Sequence, residues 1–352
     1  MLVLRVTSGT ITLAHGAGAL ETWRLVRELI VNKIPDRLRR AMDGYGLDVL
    51  DDAAALKIGE NLYLVVTVDT YTVSPYRFPG GDIGSLTANG VINDLVVSGA
   101  KPLAFMDTVV VEEGFPESEL RGIIDSLIGS LMSEGVALIG GDFKVMPKGS
   151  LDKVLITGVG LGLTERPIPD NELRVGDKII VTGDVAEHGA TILAAQLGLL
   201  SKASGLRSDT RPLSRTLLKV VREFRNHIHA ARDPTRGGLA AVLSEWASAN
   251  NLAIMLHRGK VPIREEVRAF LEAMGVDHLS MASEGIAVLA VEGSVVEEVL
   301  AMLRDVGERR AEVVGEVIAP PTQLLTGRVI GVTEVGGKVL IEPKSLNLPR
   351  IC

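Results

Sequence analysis

Short runs rich in Val, Leu, Ile and Thr alternate with amphipathic segments of helical length along most of the chain. This alternation constrains the fold more than any other feature. The runs LYLVVTV (62–68) and LAFMDTVVV (103–111) have the composition of strands, and VALIGG (136–141) is predicted as a further strand. Apolar residues recur at roughly helical spacing over 83–96 and again over 117–134. Because the two kinds of element are interleaved, we predict a mixed α/β (α+β) fold in which helices cover sheets.

A polar segment, TERPIPDNELRVGD (164–177), interrupts this alternation near the middle of the 352-residue chain. Its two prolines indicate a domain boundary, and the length suits two domains of roughly 100–200 residues each. After it we expect a strand at 178–183, helices near 187–198 and 213–230, and a helix after DPTRGGL to about 249. The predicted parts are an N-terminal segment (1–42) with an amphipathic helix over 21–42 that is interrupted before Pro35, two α/β domains (43–163 and 172–340) and a flexible tail (341–352).

The composition argues against several classes of protein. Lys and Arg total 37 against 44 for Asp and Glu, a net charge of −7 that does not suit electrostatic binding of nucleic acid. No apolar stretch approaches the roughly 18–20 residues of a membrane helix, and the N-terminus lacks the basic start of a signal peptide. The single cysteine excludes an intrachain disulfide framework. We therefore expect a cytoplasmic protein with no membrane and no nucleic-acid partner.

Carboxylates recur beside glycines or at the ends of predicted elements. Such positions suit Mg²⁺, which takes carboxylate oxygens together with substrate phosphates, and nearby glycines let backbone N–H groups approach phosphate. Each position alone is more typical of an ordinary turn, so it is the repetition that favours a magnesium–phosphate site. The chain lacks the P-loop motif, so a nucleotide would be bound by another architecture. The members of the set are Asp51, Asp52, Asp69, Asp82, Asp94, Asp142 and Asp233.

Four other polar residues are candidates for chemistry. Lys144 in GGDFK and Glu284 in MASEG have glycine and apolar neighbours, a setting in which they can act as a positioned cation and a proton acceptor. A surface lysine and a glutamate at a strand edge are the plainer interpretation. Among the six histidines, His15 and His188 lie beside glycines and are the better candidates for contact with phosphate or substrate.

The only cysteine, Cys352, is the last residue. A structural cysteine normally lies within a periodic element, whereas this one follows a stretch with two prolines and no periodicity. An accessible thiol on a mobile arm can act as a nucleophile or as a covalent carrier that reaches into a pocket. The alternative is an accidental terminal cysteine, and the position favours a functional thiol.

Four segments resemble one known family, the hydrogenase maturation carbamoyl dehydratases (HypE). They are SPYRFPGGDIGSLTANGVINDLVVSGAKP (74–102), GGDFKV (140–145), DPTRGGLAAVLSEWA (233–247) and PRIC (349–352). The resemblance extends from LAHGAG (13–18) to the C-terminus. The PRIC end together with PGGDIG and DPTRGG is specific to this family. The DDAA and DPT elements alone would indicate only the superfamily of aminoimidazole ribonucleotide synthetase, selenophosphate synthetase and thiamine-phosphate kinase.

The resemblance implies a two-domain aminoimidazole ribonucleotide synthetase-like fold and a homodimer, with ATP and Mg²⁺ bound between the domains and against the partner subunit. By residue matching, it implies catalytic roles for Cys352, Lys144 and Glu284. It implies metal ligation by Asp52, Asp94 and Asp233. Contacts with ATP are implied for Asp51, Asp52, Asp69, Thr70, Asp82, Asn93, Asp94, Gly141 and Asp142. Two positions depart from the family pattern, Ala19 where a glycine or other small residue is usual and Phe143 where threonine is expected.

The activity that the resemblance implies is an ATP-dependent dehydration of a carboxamide carried on Cys352. The product is a thiocyanate, which supplies the cyanide ligand for the iron of NiFe hydrogenase. The implied partners are the carbamoyltransferase HypF and the HypC–HypD iron scaffold. Two other functions remain open at this point. One is a kinase or synthetase of the same superfamily that acts on a free substrate, and the other is a non-catalytic maturation adaptor that uses its tail as a docking strand.

Overall fold

The computed structural model describes residues 9–18, 20–203, 205–343 and 350–352. Within these ranges the chain forms two large sheets with helices packed on them, which confirms the predicted mixed fold. The first half contains α1 (Leu20–Leu29), β1 (Ala54–Gly59), β2 (Leu62–Tyr71), β3 (Arg77–Phe78), β4 (Gly81–Asp82), α2 (Ile83–Val97), β5 (Lys101–Glu112), α3 (Glu117–Glu134), β6 (Ala137–Met146) and β7 (Val154–Thr164). No helix in the described part of the chain is both long and apolar enough to cross a bilayer.

The second half contains β8 (Lys178–Val181), α4 (Glu187–Gln196), α5 (Ser214–Phe224), β9 (Ile228–Arg232), α6 (Gly238–Asn250), β10 (Ala253–His257), α7 (Glu265–Ala273), β11 (Val288–Val291), α8 (Val296–Asp305), β12 (Glu312–Ile318), β13 (Arg328–Val332) and β14 (Lys338–Ile341). The polar segment 165–177 separates the two halves along the chain. The limits of the four predicted parts stay predictions.

Each half builds one large sheet of mostly antiparallel strands. The first sheet has the order β1-β2-β7-β5-β6, in which only β5 and β6 run parallel. The second has the order β14-β13-β10-β12-β8-β11-β9, in which only β10 and β13 run parallel. Strand β6 therefore lies at an open edge of the first sheet.

Helix α2 joins the two halves into one core. Its start is fixed locally, because Ser85 N donates to Asp82 Oδ1 at 2.9 Å while Asp82 N donates to Ser85 Oγ at 3.0 Å. This reciprocal capping satisfies N–H groups that have no partner within the helix. The helix is buried almost all round, and its Ile83 and Leu86 share a hydrophobic cluster with Ile180 and Leu217 of the second half. The two halves are thus packed together rather than merely linked.

Two predicted helices are shorter in the structure than in the sequence analysis. The helix expected over 213–230 ends at Phe224, and β9 follows it. All five residues of β9 are buried, so this short run shows no alternation of buried and exposed positions that would distinguish a strand from a helix. The helix expected over 21–42 ends at Leu29, and only two short 3₁₀ turns follow. Pro35 favours an extended Ile34 before it, which has φ −94° and ψ 123°, and so prevents continuation.

Strand β6 is longer than the predicted run over 136–141. It continues to Met146, so Asp142 and Lys144 lie inside the strand rather than after it. Every residue of β6 except Gly140 is exposed. The exposed apolar side chains are Leu138, Ile139, Phe143, Val145 and Met146.

The close approach of α2 to α3 gives a test of this packing. A Cβ on Gly84 of α2 would lie 2.0 Å from the backbone oxygen of Ile123 in α3, whereas a Cβ on Gly129 of α3 would meet nothing within 4 Å. Ala is better than Gly in a helix by about 1 kcal/mol, so Gly129→Ala should raise the free energy of unfolding by up to that amount. Gly84→Ala should lower it by about 2–3 kcal/mol, because the helices must separate. Urea unfolding of both variants measures this difference, and equal effects would contradict the described packing.

Candidate active site

Three carboxylates from separate parts of the chain meet between the two halves. Asp52 precedes β1, Asp94 lies on α2 and Asp233 follows β9. One oxygen of each lies within 4.8 Å of the others. The hydroxyl of Thr67, on β2, donates to Asp94 Oδ2 at 2.7 Å and so orients that carboxylate. The three residues predicted to bind a metal are therefore brought together.

The charges of this carboxylate cluster are poorly compensated within the chain. Burial, followed by repulsion from Asp233, raises the pKa of Asp94 well above its usual range. Burial also raises the pKa of Asp233 to about 7. The Oδ2 atoms of Asp52 and Asp233 are buried and have no hydrogen-bond partner. A buried carboxylate without a partner is costly, and a divalent cation supplies the missing charge. The all-oxygen donor set fits Mg²⁺.

Arg232, the last residue of β9, is the main cation beside the cluster. Its guanidinium lies 3.1 Å from Asp52, 2.8 Å from Asp170 and 3.9 Å from Asp51, and it also pairs with Glu245 of α6. Burial by itself would lower the pKa of Arg232, but the surrounding carboxylates outweigh it and raise the pKa. The sequence analysis missed Arg232. Its only local signal in the sequence was its position directly before DPTRGG. Its ion-pair partners are remote in sequence, so no local pattern reveals them.

A cavity of about 400 Å³ opens beside this network. Its walls come from α1, from the loop before β1, from the segment before α6 and from α6 itself, and they include Thr22, Trp23, Arg27, Asp51 and Arg236. The volume is within the range of small-molecule sites. The lining combines charged side chains with aliphatic and indole surface, which suits a ligand with a charged and an apolar part. The role of α1 as a wall was not predicted.

The end of the chain lies in the same region. Ile351 and Cys352 are partly buried and pack against the core cluster that both halves share. The carbonyl oxygen of Cys352 accepts from Thr72 N at 3.2 Å. Residues 350–352 are therefore docked in the structure, and the flexibility of the tail stays a prediction. Residues 344–349 of the predicted tail, and the predicted departure at Ala19, lie outside the described residues.

Cys352 lies among charged residues of both halves. Burial raises the pKa of its thiol above the usual range, and the negative charge of Glu284 adds to this rise. Arg236 acts in the opposite direction on the thiol, and it also lies 3.7 Å from Asp69. In the docked position the sulfur is therefore protonated at neutral pH.

Glu284 is fully buried, and neither of its carboxylate oxygens has a hydrogen-bond partner. Burial, with further repulsion from Asp233 and Asp209, raises its pKa well above the usual range. Its backbone is held firmly, because Glu284 N donates to Asp209 and Asn93 Nδ2 donates to Glu284 O at 3.1 Å. A carboxyl group so placed is a strong proton acceptor once it is ionised.

Lys144 is not brought to Glu284 within one chain. It is exposed on β6, and its ammonium lies 3.0 Å from the carboxylate of Asp142, which is also exposed. Gly141 lies on the same strand, close to β5. A Cβ added to Gly141 would lie 1.9 Å from Oδ1 of Asp107 on β5. These three predicted site residues form a separate group at the open edge of the first sheet.

The remaining predicted ATP contacts have structural partners in this chain. The Asp82 side chain caps α2. Asn93 donates to Arg211 O and accepts from Leu213 N at 2.8 Å, which ties α2 to the second half. Asp51 Oδ2 accepts from Asp170 N at 3.2 Å, and the hydroxyl of Thr70 lies 3.0 Å from that of Thr157. Their contacts with ATP stay predictions.

Comparison with known proteins identifies the family. The N-terminal domain of AIR synthase related proteins matches residues 50–164, and the C-terminal domain matches residues 174–326. The carbamoyl dehydratase HypE of Cupriavidus necator is 35% identical over 354 residues, which cover 99% of this chain and 97% of the relative. These matches show the predicted two-domain architecture.

Two solved structures have the same fold over most of the chain. One is the hydrogenase maturation protein HypE in complex with ATP, with a TM-score of 0.79 and 34% identity over 97% of this chain and 100% of that one. The other is a HypE–HypF complex, with a TM-score of 0.81 and 31% identity over 91% of this chain and 99% of that one. The chain therefore belongs to the HypE family of hydrogenase maturation carbamoyl dehydratases.

Proposed function

We propose that this chain dehydrates a carboxamide on its own Cys352 to a thiocyanate at the expense of ATP. The thiocyanate then supplies the cyanide ligand of NiFe hydrogenase through the HypC–HypD iron scaffold. The observation that carries the proposal is the docked Cys352, whose thiol pKa is raised by burial and by the charges of Glu284 and Asp233. The carboxyl of Glu284 has no hydrogen-bond partner, and Asp233 belongs to the carboxylate cluster. Membership of the HypE family supports the same reaction.

ATP is the proposed co-substrate, since a relative with 34% identity has been solved in complex with ATP. The cavity beside Arg232 and Arg236 offers cationic and apolar walls for a nucleotide. Asp52, Asp94 and Asp233 would hold Mg²⁺, which would give a partner to the buried Oδ2 atoms of Asp52 and Asp233. When bound, Mg²⁺ supplies charge stabilisation for phosphoryl transfer.

The raised pKa of Cys352 bears on how the carbamoyl group is loaded. A protonated thiol is a poor nucleophile, so the docked cysteine is not ready to attack an activated carbamoyl group. We therefore place the loading step outside the pocket, with the tail released towards HypF. A relative of the chain forms a complex with HypF, which supports this partner.

Dehydration then takes place with the tail docked. The carboxamide oxygen attacks the γ-phosphorus of ATP and ADP leaves, while one N–H proton is lost. The resulting O-phosphorylated imidate then loses its second N–H proton and expels phosphate, which leaves S–C≡N on Cys352. Glu284 is the proposed acceptor for an N–H proton, because it is buried next to the thiol and has no other partner.

A homodimer would complete the site. The exposed apolar side chains of β6 form a face that a second copy of the chain can cover. Lys144 and Asp142 lie on the same strand, so dimerisation through β6 would bring them against a neighbouring subunit. We propose that Lys144 serves the site of the partner subunit and not that of its own chain.

The carrier role of Cys352 is tested on the C-terminal peptide by mass spectrometry. With HypF, carbamoyl phosphate and ATP, the peptide should gain a carbamoyl group and then lose water, and Cys352→Ala should show neither change. Turnover that survives deletion of 346–352 would instead indicate an enzyme with a free substrate. Binding of partners with no ATP-dependent mass change would indicate a non-catalytic adaptor.

Replacement of Glu284 separates loading from dehydration. Glu284→Gln should still accept the carbamoyl group, because loading occurs away from the pocket, but the rate of water loss should fall about 100-fold or more. Glu298→Gln, at an exposed position on α8, is the matched control and should dehydrate normally. The rates follow from the mass of the C-terminal peptide over time. Wild-type dehydration in Glu284→Gln would exclude Glu284 as the proton acceptor.

The carboxylate cluster is tested by removing one charge. Asp94→Asn should weaken Mg²⁺ binding and slow ATP hydrolysis about 100-fold, since the metal contributes several kcal/mol to phosphoryl transfer. Asp305→Asn, exposed at the end of α8, serves as control. Calorimetric titration with Mg²⁺ and phosphate release measure the two effects. Unchanged metal affinity in Asp94→Asn would contradict the assignment.

A further inference from the structure

The last three residues of the chain are held by both halves of the protein, and their hydrogen bonds and ion pair involve the main chain and the Arg350 guanidinium rather than the thiol. We propose that Thr72, Asp152 and His188 form a tail grip that positions Cys352 in the site regardless of the group that its sulfur carries. This inference deepens the proposed function and rests on Cys352 being the carrier. The three grip residues act as positioning residues and not as catalytic ones.

The first part of the grip is strand-like pairing with the segment after β2. Thr72 N donates to Cys352 O at 3.2 Å, and Ser74 N donates to Arg350 O at 3.0 Å. The hydroxyl of Thr72 donates to the same Cys352 oxygen at 3.1 Å. The donors Thr72 and Ser74 are two residues apart, and so are their acceptors Cys352 and Arg350, which follow in the reverse order along the chain. This is the hydrogen-bond pattern of an antiparallel strand pair. Any side chain or modified side chain at position 352 leaves these bonds possible.

The second part of the grip holds Arg350. Its Nε donates to Thr72 O at 2.6 Å, its Nη2 donates to Asp152 O at 3.3 Å, and its guanidinium pairs with the Asp152 carboxylate. The backbone of Arg350 has φ +57°, in the left-handed region. That conformation is unfavourable for a non-glycine residue, so it persists because contacts on both sides of the residue hold it.

The third part of the grip comes from the second half of the chain. His188 of α4 is fully buried, with Nε2 2.7 Å from Ile351 O and Nδ1 2.7 Å from Ser208 Oγ. A carbonyl oxygen only accepts, so Nε2 carries the proton, and Nδ1 accepts from the Ser208 hydroxyl. Burial lowers the pKa of His188 to about 4, which keeps this neutral tautomer at physiological pH. Phe78, from the first half, packs edge-on against the ring.

Together these contacts fix three consecutive residues from two directions. Among the described residues, the hydrogen bonds of this segment involve the carbonyl oxygens of 350–352 and the guanidinium of Arg350, and none involves Sγ of Cys352. The grip therefore does not distinguish a free thiol from a carbamoylated or cyanated one. Its strength sets the fraction of time that the tail is docked rather than available to a partner.

The reaction rate of the single thiol with excess N-ethylmaleimide measures release of the tail in the full-length chain. Loss of the buried hydrogen bond in His188→Ala should raise this rate about tenfold, and loss of the exposed ion pair in Asp152→Asn about threefold. His188→Gln can donate to Ile351 O through its amide and should stay within about twofold of wild type. His257→Ala removes a histidine with no hydrogen bond to residues 350–352 and is the control.

Amide hydrogen exchange gives a second readout that does not depend on the thiol. The peptide containing Thr72 and Ser74 should exchange faster in His188→Ala and Asp152→Asn, since their N–H groups bond to the tail. Asp152 is exposed, so its variant keeps the test valid even if His188→Ala folds poorly. Wild-type thiol rates in both variants, equal acceleration in His257→Ala, or His188→Gln as reactive as His188→Ala would each overturn the grip.

Neither measurement needs ATP or a carbamoyl donor. A wild-type chain that never loses water from a carbamoylated tail would overturn the proposed function and leave the grip intact. Unchanged release in the grip variants would overturn the grip and leave the proposed function intact.

Discussion

The rest of the structure depends on the ion pairs that the buried guanidinium of Arg232 makes with carboxylates around it. Asp51 and Asp52 from the first half, Asp170 from the segment between the halves and Glu245 of α6 all lie beside it. Removal of one partner from a buried ionic network costs about 3–5 kcal/mol, because the other charges are left unpaired. The cation therefore allows several carboxylates to be buried at the junction. It also leaves those of Asp94 and Asp233 short of positive charge, which is the condition for a metal site.

Helix α2 contributes two residues to the candidate site at the same junction. Asn93 and Asp94 are adjacent on it, and they serve different purposes. Asn93 bonds three backbone groups of the second half, including Glu284 O, so it fixes the position of the glutamate. Asp94 joins the carboxylate cluster. Because the helix is also buried in the shared core, a shift between the halves would disturb the glutamate and the cluster together.

The sequence predicted those features whose signals are local. Helices α2 and α3 were predicted because their apolar residues recur at roughly helical spacing, and the structure adds that Asp82 caps the first and that Gly135 ends the second. The carboxylates proposed to bind the metal followed from their positions at element ends and from the family resemblance. Strand β9 was wrongly predicted as helix because a short, fully buried run has neither period. The partners of Arg232, and the contact of His188 with Ile351, join residues far apart in sequence, and no spacing rule reaches them. His188 was nevertheless singled out by its glycine neighbour.

Under the proposed function, the docked cysteine places these observations in an order of events. Burial and the charge of Glu284 keep its thiol protonated, so the position that suits dehydration is unsuited to loading. A carrier that performs both must leave the pocket and return, and this sets two demands on the tail. It must be held by enough contacts to present the carboxamide in one geometry, and each contact must be weak enough to break. Main-chain hydrogen bonds and one exposed ion pair, each worth about 1 kcal/mol, meet both demands. Recognition through the thiol would fail here, because the group on the sulfur changes at every stage of the cycle.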